Sequence, residues 1–268
     1  MFCALFRKGV SKLVDFTTDP EFSDVISMLR KMGANIIIRN NVLYINGKSR
    51  LKGVEYTTVN DRNDFITLLS AALTTNSQIE ICGVDYKRMK LDALDKVAKR
   101  MNIRIEYKNR SCIMNTELNK MKTTTIKAGR YPDLQTEWQV LFAPLLTQIT
   151  GTSRTIELLY PNRMQHWKEL EKMGACYEFY KSKIKPEFPH SDSMIKNPPN
   201  AVKVFGPIQL HGARVKALDV RAGAAMIIAG LAAHGRTEIT NVDQIERGYE
   251  NIIRRLQSLG ANIQIIDL

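Results

Sequence analysis

The chain reads Val-Arg-Ala-Gly-Ala-Ala-Met-Ile-Ile-Ala-Gly-Leu-Ala-Ala at 220–233, His-Gly-Arg-Thr-Glu-Ile-Thr-Asn-Val at 234–242 and Ser-Leu-Gly-Ala-Asn-Ile-Gln-Ile-Ile at 258–266. The first of these stretches consists mainly of small and aliphatic residues and follows Asp219, a good N-cap, so it predicts a helix. Residues 237–240 alternate as a short strand. The apolar spacing of 249–259 predicts a second helix, and 261–266 alternate as a second strand.

This order of helix, strand, helix and strand recurs upstream. Gly260 supplies the left-handed residue that ends the second helix, and its equivalents in the earlier copies are Gly33, Asn102 and Gly174. The third copy has helices at 136–147 and 166–173 around a strand at 154–158, and the second has helices near 63–73 and 90–101 around a strand at 79–82. Of the intervals between successive stop residues, the one from Gly174 to Gly260 is the longest, because residues 183–199 are inserted there. This stretch is polar and contains prolines, so it predicts an exposed loop.

The first copy is incomplete. Residues 2–15 match only the second half of a first helix and its strand. Units of a repeat fold bury their faces on neighbouring units, so a terminal unit needs a cap. Met1 is therefore either a true start with a frayed end or the edge of a longer protein, and we expect the second.

Composition narrows the function class. The chain has 268 residues and a net charge of +12, with much of the excess in 86–130. No stacking aromatics, recognition helix or zinc motif accompany these cations, so they predict a solvated face and no nucleic-acid partner. The apolar runs are too short for a membrane span, and neither a signal peptide nor metal-ligand cysteine spacing is present. We expect a cytoplasmic protein with reduced thiols, no metal and no cofactor.

Three arginines lie at helix entrances in equivalent parts of their repeats: Arg163, Arg221 and Arg247. Equivalent positions of stacked repeats converge on one rim, where guanidinium groups and helix N-termini both favour carboxylate or phosphate. Taken singly, each arginine is better explained by pairing with a nearby acid such as Asp219, Glu246 or Glu250. Taken together they favour an anion site.

Two carboxylates accompany these arginines. Asp219 precedes Arg221 by two residues, and a plain N-cap is its simpler interpretation. Glu137 opens the helix of the third copy, where a glutamate usually complements the helix dipole. If it faces the arginines, it is a candidate general base.

A family resemblance is carried by several motifs. The C-terminal part resembles the end of the UDP-N-acetylglucosamine enolpyruvyltransferase (1-carboxyvinyltransferase) family in Asp-Val-Arg-Ala-Gly-Ala-Ala (219–225), Gly-Arg-Thr-Glu-Ile-Thr (235–240), Glu-Arg-Gly-Tyr-Glu (246–250) and Ser-Leu-Gly-Ala-Asn-Ile (258–263). Further similar stretches are Asn-Arg-Met-Gln-His (162–166), Tyr-Pro-Asp-Leu-Gln-Thr-Glu-Trp-Gln (131–139) and Asp-Pro-Glu-Phe-Ser-Asp-Val-Ile-Ser-Met-Leu (19–29). The resemblance covers essentially the whole chain and corresponds to roughly the last three-fifths of the family's enzyme.

The resemblance implies a fold and a reaction. The fold is an inside-out α/β barrel of βαβαββ-type repeats whose N-terminal part is missing here, with 1–58 as the last repeat of a first domain and 59–268 as a nearly complete second domain. The reaction transfers the enolpyruvyl group of phosphoenolpyruvate to the 3-hydroxyl of UDP-N-acetylglucosamine, releasing phosphate, in peptidoglycan synthesis.

The resemblance also implies roles for individual residues. Arg163, Arg221 and Arg247 fall on arginines of the phosphoenolpyruvate site and closed interface, and Asp219 on an aspartate implicated in proton transfer. Glu137 falls where the family has the aspartate that takes the 3-hydroxyl proton. The residues flanking the sugar nucleotide correspond to Leu159 and Tyr160.

The family's lysine-asparagine pair, phosphate-contacting arginines and reactive-cysteine loop would lie upstream of Met1. Three hypotheses follow from the sequence: an enzyme of this family that needs a separate N-terminal half, a catalytically inactive binding or structural remnant, or the shikimate-pathway enolpyruvyltransferase. The motifs at 162–166 and 246–250 argue against the last.

Overall fold

The computed structural model describes residues 1–47, 50–188 and 198–266. Its helices are α1 Phe2–Phe6, α2 Pro20–Lys31, α3 Arg62–Thr74, α4 Tyr86–Met89, α5 Asp92–Arg100, α6 Thr136–Gln148, α7 His166–Glu171, α8 Val220–Ala232, α9 Asp243–Glu246 and α10 Ile252–Ser258, with 3-10 turns at Leu118–Lys120 and Pro161–Met164. Its strands are β1 Val10–Val14, β2 Asn35–Arg39, β3 Val42–Asn46, β4 Gln78–Cys82, β5 Ile105–Lys108, β6 Ser111–Asn115, β7 Thr125–Gly129, β8 Leu134–Gln135, β9 Gly151–Glu157, β10 Cys176–Tyr180, β11 Ala201–Gly206, β12 Arg214–Lys216 and β13 Glu238–Thr240. Within these three ranges, no helix has the length and apolar character needed to cross a membrane.

The repeat predicted from the sequence is visible in three sheets of the same design. Their strand orders are β1-β3-β2, β4-β6-β5 and β9-β11-β10, the last extended by β7 and β8. In each, the strand after the first helix pairs antiparallel with the second arm of a hairpin. The predicted helices and internal strands of the second and third copies are therefore confirmed.

The predicted helix stops are confirmed as well. Gly33, Asn102, Gly174 and Gly260 all have positive φ, between 59° and 95°. This left-handed conformation turns the chain from the second helix of each copy into the following segment. Asparagine tolerates it better than other residues with a side chain, which explains how Asn102 replaces glycine.

The hairpins differ in their turns. Asn40 and Asn41 close the β2–β3 hairpin, and Asn109 and Arg110 close β5–β6, each pair with positive φ at both positions. Such two-residue turns match the twist of antiparallel strands. Between β10 and β11 the inserted stretch 183–199 takes the place of this turn. Residues 189–197 of that predicted loop lie outside the described residues.

The last predicted strand is wrong. Residues 261–266 join no ladder, although their alternation is typical of a strand. In the other copies the strand after the stop residue pairs with the return arm of its own hairpin. Within the described residues, the backbone of 261–266 has no strand beside it to pair with.

The residues group into two compact units. One comprises Met1–Asn60 with Asp85–Lys90, and the other Asp61–Val84 with Leu91–Leu268. The first has a core of aliphatic side chains from α1, α2, β2 and β3, including Leu5, Leu29, Leu43 and Ile45. Whether residues 1–58 are the last repeat of a longer domain stays a prediction.

Within the first unit, residues 85–90 are held by a partly buried carboxylate, that of Asp24. Asp24 accepts hydrogen bonds from Arg88 Nη2 (2.6 Å), the Tyr56 hydroxyl (2.9 Å) and the Val59 amide (3.0 Å). Burial alone would raise the pKa of Asp24, but Arg88, Val59 and Tyr56 together hold it below its ordinary value.

The core of the second unit consists of helices. α3, α6 and α8 pack against one another, and nearly every residue of α3 and α6 is buried. α8 is composed of alanine, glycine and aliphatic residues, which allow close approach of its neighbours. This packing fixes the N-termini of α6 and α8 relative to each other, and the candidate site lies at those ends.

Candidate active site

Glu137 lies in the first turn of α6 and bridges two of the predicted arginines. Its Oε2 accepts a hydrogen bond of 2.9 Å from Arg221 Nε, and its Oε1 lies 3.8 Å from Arg163 Nη1. The Glu137 side chain is 37% exposed, so the carboxylate borders solvent. We call Glu137, Arg163 and Arg221 the bridged cluster. The structure thus joins the candidate base directly to two candidate anion-binding residues.

Arg221 is the most enclosed member of this cluster. Its guanidinium Cζ lies 5.2 Å from the centre of the buried Tyr249 ring, and the Tyr249 hydroxyl is 2.8 Å from Thr67 Oγ1. Burial by itself would lower the pKa of Arg221, but Tyr249 and Glu137 more than offset this and raise it. Its Nη1 is buried and has no hydrogen-bond partner in the described part of the chain. The arginine therefore remains charged and retains donor capacity for an anion.

Arg163 reaches the cluster from the Pro161–Met164 turn. Its guanidinium Cζ lies 5.4 Å from the centre of the Tyr160 ring, a cation–π geometry. The Tyr160 ring is in turn stacked on Phe188, with centroids 5.1 Å apart and an interplanar angle of 13°. The orientation of Arg163 thus depends on an aromatic pair as well as on Glu137.

Asp219 is the N-cap of α8, as its sequence position predicts. Its Oδ1 accepts hydrogen bonds of 2.8 Å from the amides of Arg221 and Ala222. The residue also borders a cleft of about 320 Å³ whose lining is Asn162, Arg163, Gln165, His166, Leu218, Asp219 and Ala222. Its carboxylate therefore serves the helix while it lines a space next to the bridged cluster.

His166 forms a buried part of the same cleft lining. Its Nδ1 lies 3.1 Å from the Arg163 carbonyl oxygen, which can only accept, so Nδ1 carries the proton. Its Nε2 is buried without a hydrogen-bond partner among the described residues. Burial lowers the pKa of His166 to about 4, and the imidazole is neutral at physiological pH.

A second buried acid, Glu157, organises the backbone around the site. At the end of β9, it accepts hydrogen bonds from the Thr136 hydroxyl and from the amides of Leu159 (2.9 Å) and Tyr160 (3.2 Å). Burial raises the pKa of Glu157, while the bonds from Thr136, Leu159 and Tyr160 oppose the shift. One side chain thereby holds the start of α6, where Glu137 lies, against the turn that leads to Arg163.

Sequence reasoning did not identify Glu157 or His166. A usable signal for Glu157 was its place in the alternation of β9, where Ser153, Thr155 and Glu157 all face inward and are fully buried. A glutamate at the buried phase of a strand needs several donors, which indicates a structured polar site.

Of the remaining predicted residues, Leu159 is buried and Tyr160 is half-buried beside it, both oriented by Glu157 through their amides.

Arg247 is exposed at the end of α9, and its guanidinium makes no ion pair or hydrogen bond with any residue in 1–47, 50–188 or 198–266. The neighbouring Gly248 is required for packing, since a Cβ there would lie 2.3 Å from Val220 Cγ1. The structure therefore joins Arg163 and Arg221 through Glu137 but does not bring Arg247 into contact with them.

The arrangement is suited to binding an oxyanion. Two guanidiniums share one partly exposed carboxylate beside a cleft at the N-terminus of α8. A carboxylate or phosphate group entering the cleft meets guanidinium donors and the positive end of a thirteen-residue helix. Binding such a group would compete with Glu137 for the guanidiniums and free its carboxylate.

Comparison with known proteins finds relatives over nearly the whole chain. The family model described as EPSP synthase (3-phosphoshikimate 1-carboxyvinyltransferase) matches residues 1–256. UDP-N-acetylglucosamine 1-carboxyvinyltransferase 1 of Streptococcus agalactiae is 35% identical over 270 aligned residues, covering 100% of this chain and 59% of the relative. UDP-N-acetylglucosamine 1-carboxyvinyltransferase 2 of Oceanobacillus iheyensis is 36% identical over 264 residues, covering 98% and 57%.

Solved structures show the same fold. The enolpyruvyl transferase NikO from Streptomyces tendae superposes with a TM-score of 0.84 at 22% identity, covering 97% of this chain and 58% of that one. EPSP synthase from Acinetobacter baumannii gives a TM-score of 0.64 at 14% identity, covering 98% and 59%. The chain thus spans somewhat more than half the length of the proteins it matches.

Proposed function

Because the chain belongs to the EPSP synthase (3-phosphoshikimate 1-carboxyvinyltransferase) family, we propose that it carries the phosphoenolpyruvate-binding cluster of an enolpyruvyl transferase. The acceptor we propose is the 3-hydroxyl of UDP-N-acetylglucosamine, since the curated relatives at 35–36% identity bear the name of that reaction. The proposed pathway is peptidoglycan synthesis. These substrates are cytoplasmic metabolites, so the proposal also places the protein in the cytoplasm.

The observation that carries the proposal is the bridging position of Glu137 between Arg163 and Arg221. The three residues come from separate elements and are brought together only by the packing of α6 and α8 and the turn after β9. Phosphoenolpyruvate carries both a carboxylate and a phosphate, the two groups that guanidinium forks bind best.

In the proposed reaction, phosphoenolpyruvate takes the guanidiniums of Arg163 and Arg221 and releases Glu137. The freed carboxylate accepts the proton of the sugar 3-hydroxyl as its oxygen bonds to the phosphate-bearing carbon of the enolpyruvyl group. In this addition the methylene carbon of the enolpyruvyl group takes up a proton and the double bond becomes a single bond. In the elimination that follows, that carbon loses a proton, the double bond re-forms, the bond from the phosphate-bearing carbon to the phosphate oxygen breaks, and phosphate leaves. Asp219, beside the same cleft, is proposed to transfer protons to and from the reacting carbons.

Glu137 differs from the aspartate that the family resemblance implies at this position. The longer side chain spans the gap to Arg221 and makes a hydrogen bond of 2.9 Å to its Nε. Once an anion replaces it on the arginines, the added methylene lets the carboxylate swing toward the cleft. We propose that Glu137 retains the role of general base through this exchange.

The architecture we propose is the inside-out α/β arrangement, which is supported by the burial of α3 and α6 on nearly all faces. Residues 59–268 would form a nearly complete three-repeat domain and 1–58 the last repeat of another. The groups that the resemblance places outside this sequence, including the reactive-cysteine loop, would complete the site from the same polypeptide or from a separate N-terminal half.

The binding test uses phosphoenolpyruvate titrated into the 268-residue chain by isothermal calorimetry. Arg163→Met and Arg221→Met should each weaken phosphoenolpyruvate binding at least tenfold, because methionine has no N–H groups to replace the bidentate guanidinium donor. Arg214→Met is the matched control, since Arg214 is an exposed arginine of β12 that pairs with Glu238. Equal affinity in all four proteins would remove the bridged cluster from the proposal.

The turnover test measures phosphate release from phosphoenolpyruvate and UDP-N-acetylglucosamine. The chain is assayed alone and with the N-terminal part of the Streptococcus agalactiae relative that lies outside the matched region. Release that requires the added part supports an enzyme with a divided site, and release by the chain alone supports a self-sufficient one. Binding without release in either mixture would favour a non-catalytic binding protein.

A further inference from the structure

The first residues of the inserted loop are docked beside the bridged cluster. The Glu187 amide donates to the Leu158 carbonyl (2.8 Å), and the Phe188 amide donates to the Leu159 carbonyl (3.0 Å). The segment thus runs along the turn that Glu157 holds from the other side. The expectation that all of 183–199 is simply exposed is wrong for Phe188, which is half-buried.

A salt bridge anchors the same segment. The Glu187 carboxylate accepts from Arg130 Nε (2.9 Å) and Arg130 Nη2 (2.7 Å), a bidentate pair. The Arg130 guanidinium also lies 5.4 Å from the centre of the Phe188 ring. One arginine therefore contacts both the Glu187 carboxylate and the face of the Phe188 ring, in an ion pair whose two members are about half exposed.

These contacts build a continuous column of planar groups. Arg130 covers Phe188, Phe188 stacks on Tyr160, and Tyr160 lies under the guanidinium of Arg163. The centroid and guanidinium separations are 5.1 to 5.4 Å throughout. We call these four residues the aromatic column. Its inner end, Arg163, is also a member of the bridged cluster.

The ion pair between Arg163 and Glu137 is long, with 3.8 Å between Nη1 and Oε1. An arginine has several rotatable bonds, and a long ion pair at a partly exposed site does little to restrict them. The Tyr160 ring supplies a second, planar constraint, and the Tyr160 ring is itself fixed by Phe188. Removing Phe188 would leave one face of Tyr160 open and widen the orientations available to both side chains.

We propose that Phe188 is a positioning residue of the substrate site: it fixes the Tyr160 ring and, through it, the guanidinium of Arg163. The docked segment 186–188 would then form a wall of the site that two-residue hairpin turns, as in the other copies of the repeat, cannot supply. The inference rests on the proposed function, because it assigns Arg163 to the binding of phosphoenolpyruvate.

The test compares phosphoenolpyruvate affinity in Phe188→Leu and Phe188→Tyr by calorimetry. Leucine fills space without a planar face, so we expect the dissociation constant to rise about 3-fold or more, within the range that an aromatic pair supplies. Tyrosine keeps the stack and should restore wild-type affinity. The matched control is Phe179→Leu, since Phe179 is a half-buried aromatic of β10 that packs edge-on to Tyr177 and lies outside the column.

A second readout follows the docking itself. Trypsin cleavage after Lys181 and Lys183 should be faster in Phe188→Leu than in wild type and unchanged in Phe188→Tyr. Faster cleavage with unaltered phosphoenolpyruvate affinity would overturn the proposal, because the segment would then be packed on the site without positioning it. Unaltered cleavage and affinity in Phe188→Leu would overturn it as well.

The outcomes separate this inference from the proposed function. Wild-type protein that does not bind phosphoenolpyruvate removes the proposed function and this inference with it. Wild-type protein that binds, together with a Phe188→Leu variant of equal affinity, removes only the role of Phe188.

Discussion

His166 should give the second unit a measurable loss of stability in mild acid. Its imidazole is buried, donates through Nδ1 to the Arg163 carbonyl and is packed so that burial lowers its pKa from 6.5 to about 4. In the unfolded chain the same histidine takes up a proton near pH 6.5. Between these two values the unfolded state binds more protons than the folded state, so stability falls as pH falls.

The size of the effect follows from the two pKa values. With 6.5 unfolded and about 4 folded, lowering the pH from about 7.5 to about 5 should cost roughly 2 kcal/mol of unfolding free energy from this one group. Stability from His166 is fully present above its unfolded pKa and is lost progressively toward the folded value. Glu157, whose pKa burial raises, contributes in the opposite direction, with stability lost as pH rises.

Urea unfolding followed by tryptophan fluorescence measures this directly, because Trp138 and Trp167 are both buried in the second unit. His166→Gln removes the titrating group, and the difference between wild type and variant cancels all other groups. His234→Gln is the matched control, since His234 is exposed. A wild-type pH dependence that His166→Gln leaves unchanged would refute the assignment of a buried, neutral imidazole.

The remaining predictions concern three other residues. Asp219→Ala should lower the unfolding free energy by about 1 kcal/mol, because the N-cap of α8 is lost. Asp219→Asn should keep the unfolding free energy within a few tenths of a kcal/mol of wild type, since asparagine is also a good N-cap, but should abolish phosphate release. Phosphate release by Asp219→Asn at the wild-type rate would leave Asp219 with its capping role alone. Arg88→Met removes the hydrogen bond to Asp24 and should therefore lower the unfolding free energy by about 1 kcal/mol. It should also speed trypsin cleavage after the neighbouring lysines, and an unchanged cleavage rate would show that Arg88 does not hold residues 85–90 in place. Arg247→Ala should change the unfolding free energy by less than about 0.5 kcal/mol, because the side chain is exposed, yet reduce turnover severely; unimpaired turnover would remove Arg247 from the site.

The sequence was a good guide wherever local rules decide the structure. The four stop residues adopt the left-handed conformation, and the cap at Asp219 forms as predicted. Both depend on contacts within a few residues of each other. The strand predicted at 261–266 failed because a strand also needs a neighbour to pair with, and its own pattern of residues does not supply one.

The pairing of the arginines shows the same limit at the site. Asp219 is two residues from Arg221 and was the obvious partner by sequence, but its carboxylate is occupied by backbone amides at the start of α8. Arg221 instead pairs with Glu137, 84 residues away along the chain. The partner was decided by the packing of α6 against α8, which no local pattern encodes. Glu157 and Phe188 were missed for the same reason.

In the proposed reaction, a substrate anion and Glu137 compete for the guanidiniums of Arg163 and Arg221. Calorimetric titration of phosphoenolpyruvate into wild type and Glu137→Gln tests this competition, because glutamine keeps the shape of the side chain and removes its charge. Phosphoenolpyruvate no longer has to displace the partly exposed Glu137–Arg221 ion pair, so its affinity should rise about 2- to 5-fold, which corresponds to the free energy of such a pair. Phosphate release should be lost, because the general base is gone. Binding to Glu137→Gln that is equal to or weaker than binding to wild type would show that Glu137 and the substrate anion do not compete for the arginines.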